Sequence, residues 1–288
     1  MLNLSWPWNP GILIFLLVLC LLYGLGIWLA RKRDAAQRPL KIYHILAFVT
    51  AIVGIALMML TPLDTVARTQ LFAVHMFQAV VLITVCGPML LFACPHWLLQ
   101  PLVEHPLVRP VARFLTQPVI ASGIFNLTFL LWHAPGPFHY ALLHATVYHI
   151  ALLSILLTSL LNWWPLIGPV KELHKMSYPM QMLYAFVDGQ PVDIFAFLLV
   201  FTGTLFYPYY TFPTQLAQFG VTPIADQTIG GAFLLLPGLV DLLVMSPLFF
   251  RWLGQIEEKA KIADERRQRE IEEEEALLEM EEVESSEA

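Results

Sequence analysis

Gly11–Ala30 reads GILIFLLVLCLLYGLGIWLA and runs directly into Arg31-Lys32-Arg33. About twenty apolar residues are what a helix needs to cross a bilayer's hydrocarbon core. The preceding Met1–Pro10 carries no Lys or Arg, so the stretch does not read as a cleaved signal peptide. Basic residues stay on the cytoplasmic side, which sends the N-terminus outward.

Working outward from this first span, six more apolar runs follow, at about 42–60, 71–94, 119–133, 144–164, 183–207 and 226–252. A chain in hydrocarbon must satisfy its own backbone polar groups, so the open-chain solution is a helix. The expected fold is therefore all-α: a polytopic membrane protein with a seven-helix transmembrane bundle over 1–252, N-terminus outside and C-terminus cytoplasmic. Residues 253–288 form a charged, acidic cytoplasmic tail, expected to extend the last helix and to lose order from about Glu272–Glu275. Composition agrees: 58% of the 288 residues are hydrophobic and 13% charged, about half the charged fraction of soluble domains.

The loops test the orientation. With the N-terminus outside, fifteen of the sixteen Lys and Arg residues fall in 31–41, 95–118, 165–182, at Arg251 or in the tail, leaving only Arg68 outside. Removing one span would scramble that pattern, so span count and direction support each other. The proline-rich 95–118 segment reads as carrying a short helix on the membrane surface. Trp6, Trp8, Trp163, Trp164, Tyr207, Tyr209 and Tyr210 fit interfacial belts.

Several classes of function are disfavoured. Cys20, Cys86 and Cys94 lie in apolar runs without CxxC spacing, which argues for packing rather than a disulfide framework or thiolate site. No basic stripe or recognition module points to nucleic acid. No nucleophile–base pair is evident, and no enzymatic activity is expected.

The histidines carry the chemical signal. The topology sends His44, His96, His105 and His174 to the cytoplasmic side, and His75, His133, His139, His144 and His149 to the outer side. Imidazole is a common metal ligand near neutral pH and suits copper, zinc and iron. Met76 adds a nearby thioether, Gln78 shares a helix face with His75, and Asp226 with Gln227 opens the seventh span at that level, offering an oxygen ligand or an acceptor that orients one. No thiolate is present there, which favours copper, or a haem held by two histidines, over structural zinc. Separately, Asp188, Asp193 and Asp241 sit within the last two spans, where carboxylates are costly. They read as a proton relay, or as partners for Asn126 and Asn162.

Four blocks of sequence carry a family resemblance. The first is His75-Met76-Phe77-Gln78 with Gly87-Pro88-Met89-Leu90-Leu91 and Cys94-Pro95. The second is Trp132-His133-Ala134-Pro135, leading through Tyr140 to His144 and His149. The third is Trp163-Trp164-Pro165-Leu166 with Tyr207-Pro208-Tyr209-Tyr210. The fourth is Asp226-Gln227 with Gly230-Gly231. Together they resemble the CtaG family of Bacillus-type cytochrome c oxidase assembly factors, over about 75–252. The resemblance implies a plasma-membrane protein that serves maturation of a haem–copper oxidase, with the oxidase subunits as partners and copper delivery or site assembly as the role. One position departs from the family pattern: four residues after His75, where a second histidine is expected, this chain has Ala79.

Three functional expectations follow. The leading one is a non-enzymatic assembly factor that holds or passes copper at the outer face through His75, His133, His144 and His149, with Asp226 orienting one ligand. The second is a proton-coupled metal-ion or small-solute transporter working through Asp188, Asp193 and Asp241. The third is a b-type haem membrane protein with two histidine axial ligands.

Overall fold

The computed structural model describes residues 2–33, 39–170, 173 and 176–287. His174, Arg38, Lys171 and Lys175, placed by sequence on the cytoplasmic side, lie outside the described residues. Two long helices open the chain, α1 (Pro10–Arg33) and α2 (Ile42–Leu60), followed by a short α3 (Pro62–Thr69). The third apolar run is continuous from Phe72 to Ala93: α4 (Phe72–Val81), one π turn over Leu82–Cys86, and α5 (Gly87–Ala93). Pro88 explains the wider turn. It has no N–H, and its ring would clash with the carbonyl one α-helical turn back.

Two short helices, α6 (His96–Val103) and α7 (Arg109–Leu115), fill the segment where sequence suggests one. Then come α8 (Pro118–His133), α9 (Pro135–Leu143), α10 (Ala145–Ile167), α11 (Tyr178–Phe201), α12 (Thr214–Gln218), α13 (Pro223–Leu234) and α14 (Leu236–Glu287). No strand occurs among the described residues. Six helical runs are long and apolar enough to cross a membrane, and a seventh is reached if α7 and α8, bent by 68°, make one span. The protein is a multi-pass helical membrane protein.

Two spans differ from the sequence boundaries. The sixth, expected at 183–207, is the helix Tyr178–Phe201. It stops because Gly203 adopts φ +62°, the left-handed conformation that ends helices and that glycine adopts without a Cβ penalty. Tyr207 is thereby released into a loop. The seventh, expected as one helix over 226–252, is broken at Leu235, just before Pro237. Pro237 can neither donate a backbone hydrogen bond nor clear the carbonyl four residues back. Beyond Glu272, where loss of order was expected, α14 continues to Glu287.

The Phe72–Ala93 run is the most buried of the spans. α2, α3, α10 and α13 surround it, α8 packs on α10, and α11 packs on both α13 and α14. α1 and α14 sit at the periphery and turn Leu17, Leu21, Leu25, Leu239 and Leu243 outward, as helix faces against lipid do. Two adjacent glycines let α13 enter between α4 and α11. A Cβ on Gly230 would come within 2.7 Å of the Phe72 ring, and one on Gly231 within 2.9 Å of the Ala196 carbonyl. Small residues at such crossings allow close backbone approach, the main source of packing energy between helices in lipid.

Candidate functional site

His133 is the last residue of α8 because Ala134-Pro135 follows. A residue before proline is pushed into extended geometry, and Ala134 adopts φ −64°, ψ 138°. The His133 ring folds back, and its Nδ1 lies 2.7 Å from the Phe129 carbonyl one turn earlier in the same helix. This leaves Nε2 directed at α4, where it meets Nε2 of His75 at 3.2 Å. Both residues are buried.

A hydrogen-bonded chain continues from His75. Its Nδ1 is 2.7 Å from the Tyr148 hydroxyl, which donates to Gln78 Oε1 at 2.6 Å. Gln78 Nε2 donates to the Met58 carbonyl at 2.6 Å and to Asp64 Oδ1 at 3.2 Å. Asp64 in turn pairs with His149 Nε2, 3.1 Å from Oδ2, and Asn9 Nδ2 reaches His149 Nδ1 at 3.1 Å. The chain thus runs from the N-terminal segment, across α3, α10 and α4, to the end of α8.

Aromatic rings enclose the histidine pair. His133 stacks on Phe129 with centroids 4.1 Å apart and on Phe138 at 5.8 Å, and the Phe138 ring lies 4.9 Å from His75. Phe72 stacks on Tyr207 at 4.5 Å, and the Tyr207 hydroxyl donates to the His133 carbonyl at 2.5 Å. Burial, and then neighbouring Tyr209, push the Tyr207 hydroxyl up, so it stays a donor. The free space beside the two imidazoles is only about 10 Å³, at the lower limit for one water.

Asp226 and Gln227 build the frame rather than touch the pair. The Asp226 carboxylate accepts from the Phe72 and Ala73 amides at 2.8 and 3.2 Å. These are unpaired N–H groups of the first turn of α4, where a negative charge is favourable. Gln227 accepts from the Phe206 amide at 2.7 Å and donates to the Thr204 carbonyl at 2.8 Å, fixing the loop that carries Tyr207.

The structure therefore brings together His75 and His133, ties in Gln78 through Tyr148, and reaches His149 through Asp64. The other two outer histidines are elsewhere. His139 stacks on Tyr209 at 4.1 Å. His144 is exposed, with its ring folded onto the Tyr140 carbonyl at 2.9 Å. Met76 is buried on the face of α4 toward Gly230 of α13. Among the described residues, no three His, Cys, Asp or Glu side chains gather in a metal-holding group. Asp64, Tyr148 and Asn9 were not singled out from sequence, and Tyr207 stood out only as an interfacial-belt residue and part of a family block. Asp64 had a ready local explanation, since Thr61-Pro62-Leu63-Asp64 fits a helix-start box, and Thr61 indeed caps Leu63.

The intramembrane aspartates form a separate polar site. Asp188 accepts from Asn162 Nδ2 at 2.5 Å and from Asn126 Nδ2 at 3.3 Å, while the Tyr184 hydroxyl donates to the Asn162 carbonyl at 2.8 Å. Asp188, Asp193, Asp241 and Asn162 line a cavity of about 50 Å³. No residue lining it borders the space beside the histidines. Val80, Phe125, Leu152 and Ile155 are all buried in the apolar core.

A haem does not fit between His75 and His133. Axial ligation requires about 4 Å between the two nitrogens, from metal–nitrogen bonds of about 2 Å, and a slot for the macrocycle. Phe129 and Phe138 occupy that space.

The model of the cytochrome c oxidase caa3 assembly factor family matches residues 21–255. The chain belongs to this family. The match covers every helix described above from α2 to α13, including both histidines of the pair, their frame and the aspartate cavity. The acidic end of α14 lies beyond it. No curated protein and no solved structure matches the chain. The membership accounts for the order of the four sequence blocks. The matched region contains the buried polar network that converges on two facing imidazoles.

Proposed function

We propose that this family member serves assembly of the oxidase by handling copper at the outer face of the plasma membrane, with His75 and His133 as the copper-contacting groups. The observation that carries the reading is the 3.2 Å approach of two imidazole nitrogens in a buried, aromatic-walled space. Each ring has its other nitrogen engaged by a hydrogen-bonding partner, the arrangement that orients histidine ligands in metal sites. The basic Arg31-Lys32-Arg33 flank supports an outer location for this end of the bundle. Copper is cargo here, held and passed to an oxidase subunit, and the role is non-catalytic. His139 and His144 lie outside the holding site. His149 acts through Asp64 on the frame.

The test is genetic and analytical. Cells carrying the His75→Gln, His133→Gln double variant at wild-type protein level are expected to contain oxidase apoprotein with little copper and little activity. Oxidase with full copper content in those cells would overturn the reading.

A second reading, a proton-coupled metal-ion or small-solute transporter, is favoured by the cavity that Asp188, Asp193 and Asp241 share. It requires flux through proteoliposomes that disappears on neutralising Asp188 or Asp241.

A further inference from the structure

We infer that the hydrogen-bond chain behind His75 and His133 removes the proton from both facing nitrogens and so prepares a two-nitrogen site for one Cu(I) ion. The inference deepens the copper-handling reading and rests on it. It assigns Tyr148 and Gln78 as positioning residues.

The derivation starts at Gln78. Its Nε2 contacts the Met58 carbonyl, which can only accept, so the amide orientation is fixed and Oε1 faces Tyr148. An amide oxygen can only accept, so the single Tyr148 hydroxyl proton is committed to it at 2.6 Å. Toward His75 the same hydroxyl can then only accept, so His75 Nδ1 carries a proton. On the other side, the Phe129 carbonyl can only accept, so His133 Nδ1 carries a proton as well. A neutral imidazole has one N–H and one lone pair. Both Nε2 atoms therefore present lone pairs to each other across 3.2 Å, an arrangement with no hydrogen bond in it that calls for a cation between them.

The surroundings select the cation. Among the described residues no carboxylate or thiolate joins either ring, and the space holds at most one water. The donor set is thus two nitrogens. Zinc takes four ligands, and Cu(II) takes a tetragonal N,O set. Cu(I) has a filled d shell and is satisfied by two. It also brings a single charge into an apolar space where a second charge would be costly. With metal–nitrogen bonds of about 2 Å, the linear N–Cu–N unit that two-coordinate Cu(I) prefers is reached when the rings part by less than about 1 Å from their present separation. Binding forms two Cu–N bonds and releases no proton, since neither Nε2 carries one.

Two measurements on the full-length protein in detergent test this. The first is ¹⁵N spectroscopy of histidine-labelled protein, assigned with His75→Gln and His133→Gln. Both rings are expected in the Nδ1–H form, and an Nε2–H signal from either would overturn the inference without touching the copper-handling reading. The second is anaerobic titration with Cu(I) against a chromophoric chelator. One Cu(I) per chain is expected, lost in His75→Gln and bound about 10–100-fold more weakly in Tyr148→Phe, the range seen when a group orienting a histidine ligand is removed. Zn(II) is expected not to compete. Absence of Cu(I) binding, equal affinity in wild type and Tyr148→Phe, or effective Zn(II) competition would overturn it. The oxidase copper content in cells carrying His75→Gln decides the parent reading separately.

Discussion

Asp226 on α13 closes the open end of α4 at Phe72, accepting that residue's amide at 2.8 Å across 154 positions of sequence. His75 stands one turn further along α4. The same carboxylate therefore fixes the register of the helix that presents the imidazole, and links α13 to α4 at the level where Gly230 lets them touch. A residue that sequence offers as an oxygen ligand instead anchors the helix that carries His75.

Removing that anchor should loosen the bundle. Asp226→Ala leaves two amide donors of α4 unpaired, which costs about 1–3 kcal/mol. A lower thermal midpoint in detergent is expected, together with weaker copper retention. Asp226→Asn keeps an acceptor and should recover much of the loss. Equal midpoints for wild type and Asp226→Ala would show that α4 does not depend on this cap.

The glycines on α13 should differ in severity. An alanine at Gly230 meets the Phe72 ring and, at 3.2 Å, Met76, side chains that can shift. An alanine at Gly231 meets the Ala196 backbone carbonyl, which cannot move without α11. Overpacking costs about 1–3 kcal/mol, with Gly231→Ala at the upper end. Thermal denaturation of the two variants side by side measures the difference.

Four of the five outer histidines should separate into two classes. His139→Ala and His144→Ala are expected to leave oxidase maturation intact, because these rings touch Tyr209 and Tyr140 and not the pair. His75→Gln and His133→Gln are expected to abolish it. Oxidase activity in membranes at matched protein levels reads the outcome, and a defect in His144→Ala as large as in His75→Gln would place the cargo elsewhere.

Asp188 is held by two amide donors, Asn162 and Asn126. Asp188→Ala strands Asn162 Nδ2, while Asn126 Nδ2 keeps the Ser122 carbonyl and the backbone carbonyl of residue 188, and it should cost about 1–3 kcal/mol in stability. Asp188→Asn presents an oxygen in the same place and should cost less. Proton uptake by proteoliposomes that is lost in Asp188→Asn while the fold survives would favour transport. Identical behaviour of wild type and Asp188→Asn would make the carboxylate structural.

The orientation is open to direct labelling. In a chain freed of Cys20, Cys86 and Cys94, a cysteine at Ser5 is expected to react with an impermeant maleimide in intact cells. One at Lys261 is expected to react only after permeabilisation. The reverse pattern would place the histidine pair on the cytoplasmic side.

By itself the sequence determined the class of fold and the order of the spans. The reason is local: hydrocarbon offers a peptide group no partner, so each long apolar run must close its own hydrogen bonds, and Gly11–Ala30 or Ala145–Ile167 is helical whatever surrounds it. Where the boundaries moved, the cause was also local, at Gly203 and Pro237, and present in the sequence as glycine and proline. The site was legible only as a set of candidates. Topology puts five histidines at one end of the bundle, and nothing in their spacing tells which two face each other. That was decided by contacts between distant segments. His133 lies 58 residues from His75, Tyr148 lies 70 from Gln78, and Asp64 lies 85 from His149. The direction of each ring follows from partners the chain supplies only once folded, a carbonyl one helical turn back for His133 and a tyrosine committed to Gln78 for His75. Only the packed bundle can determine on which nitrogen a proton sits.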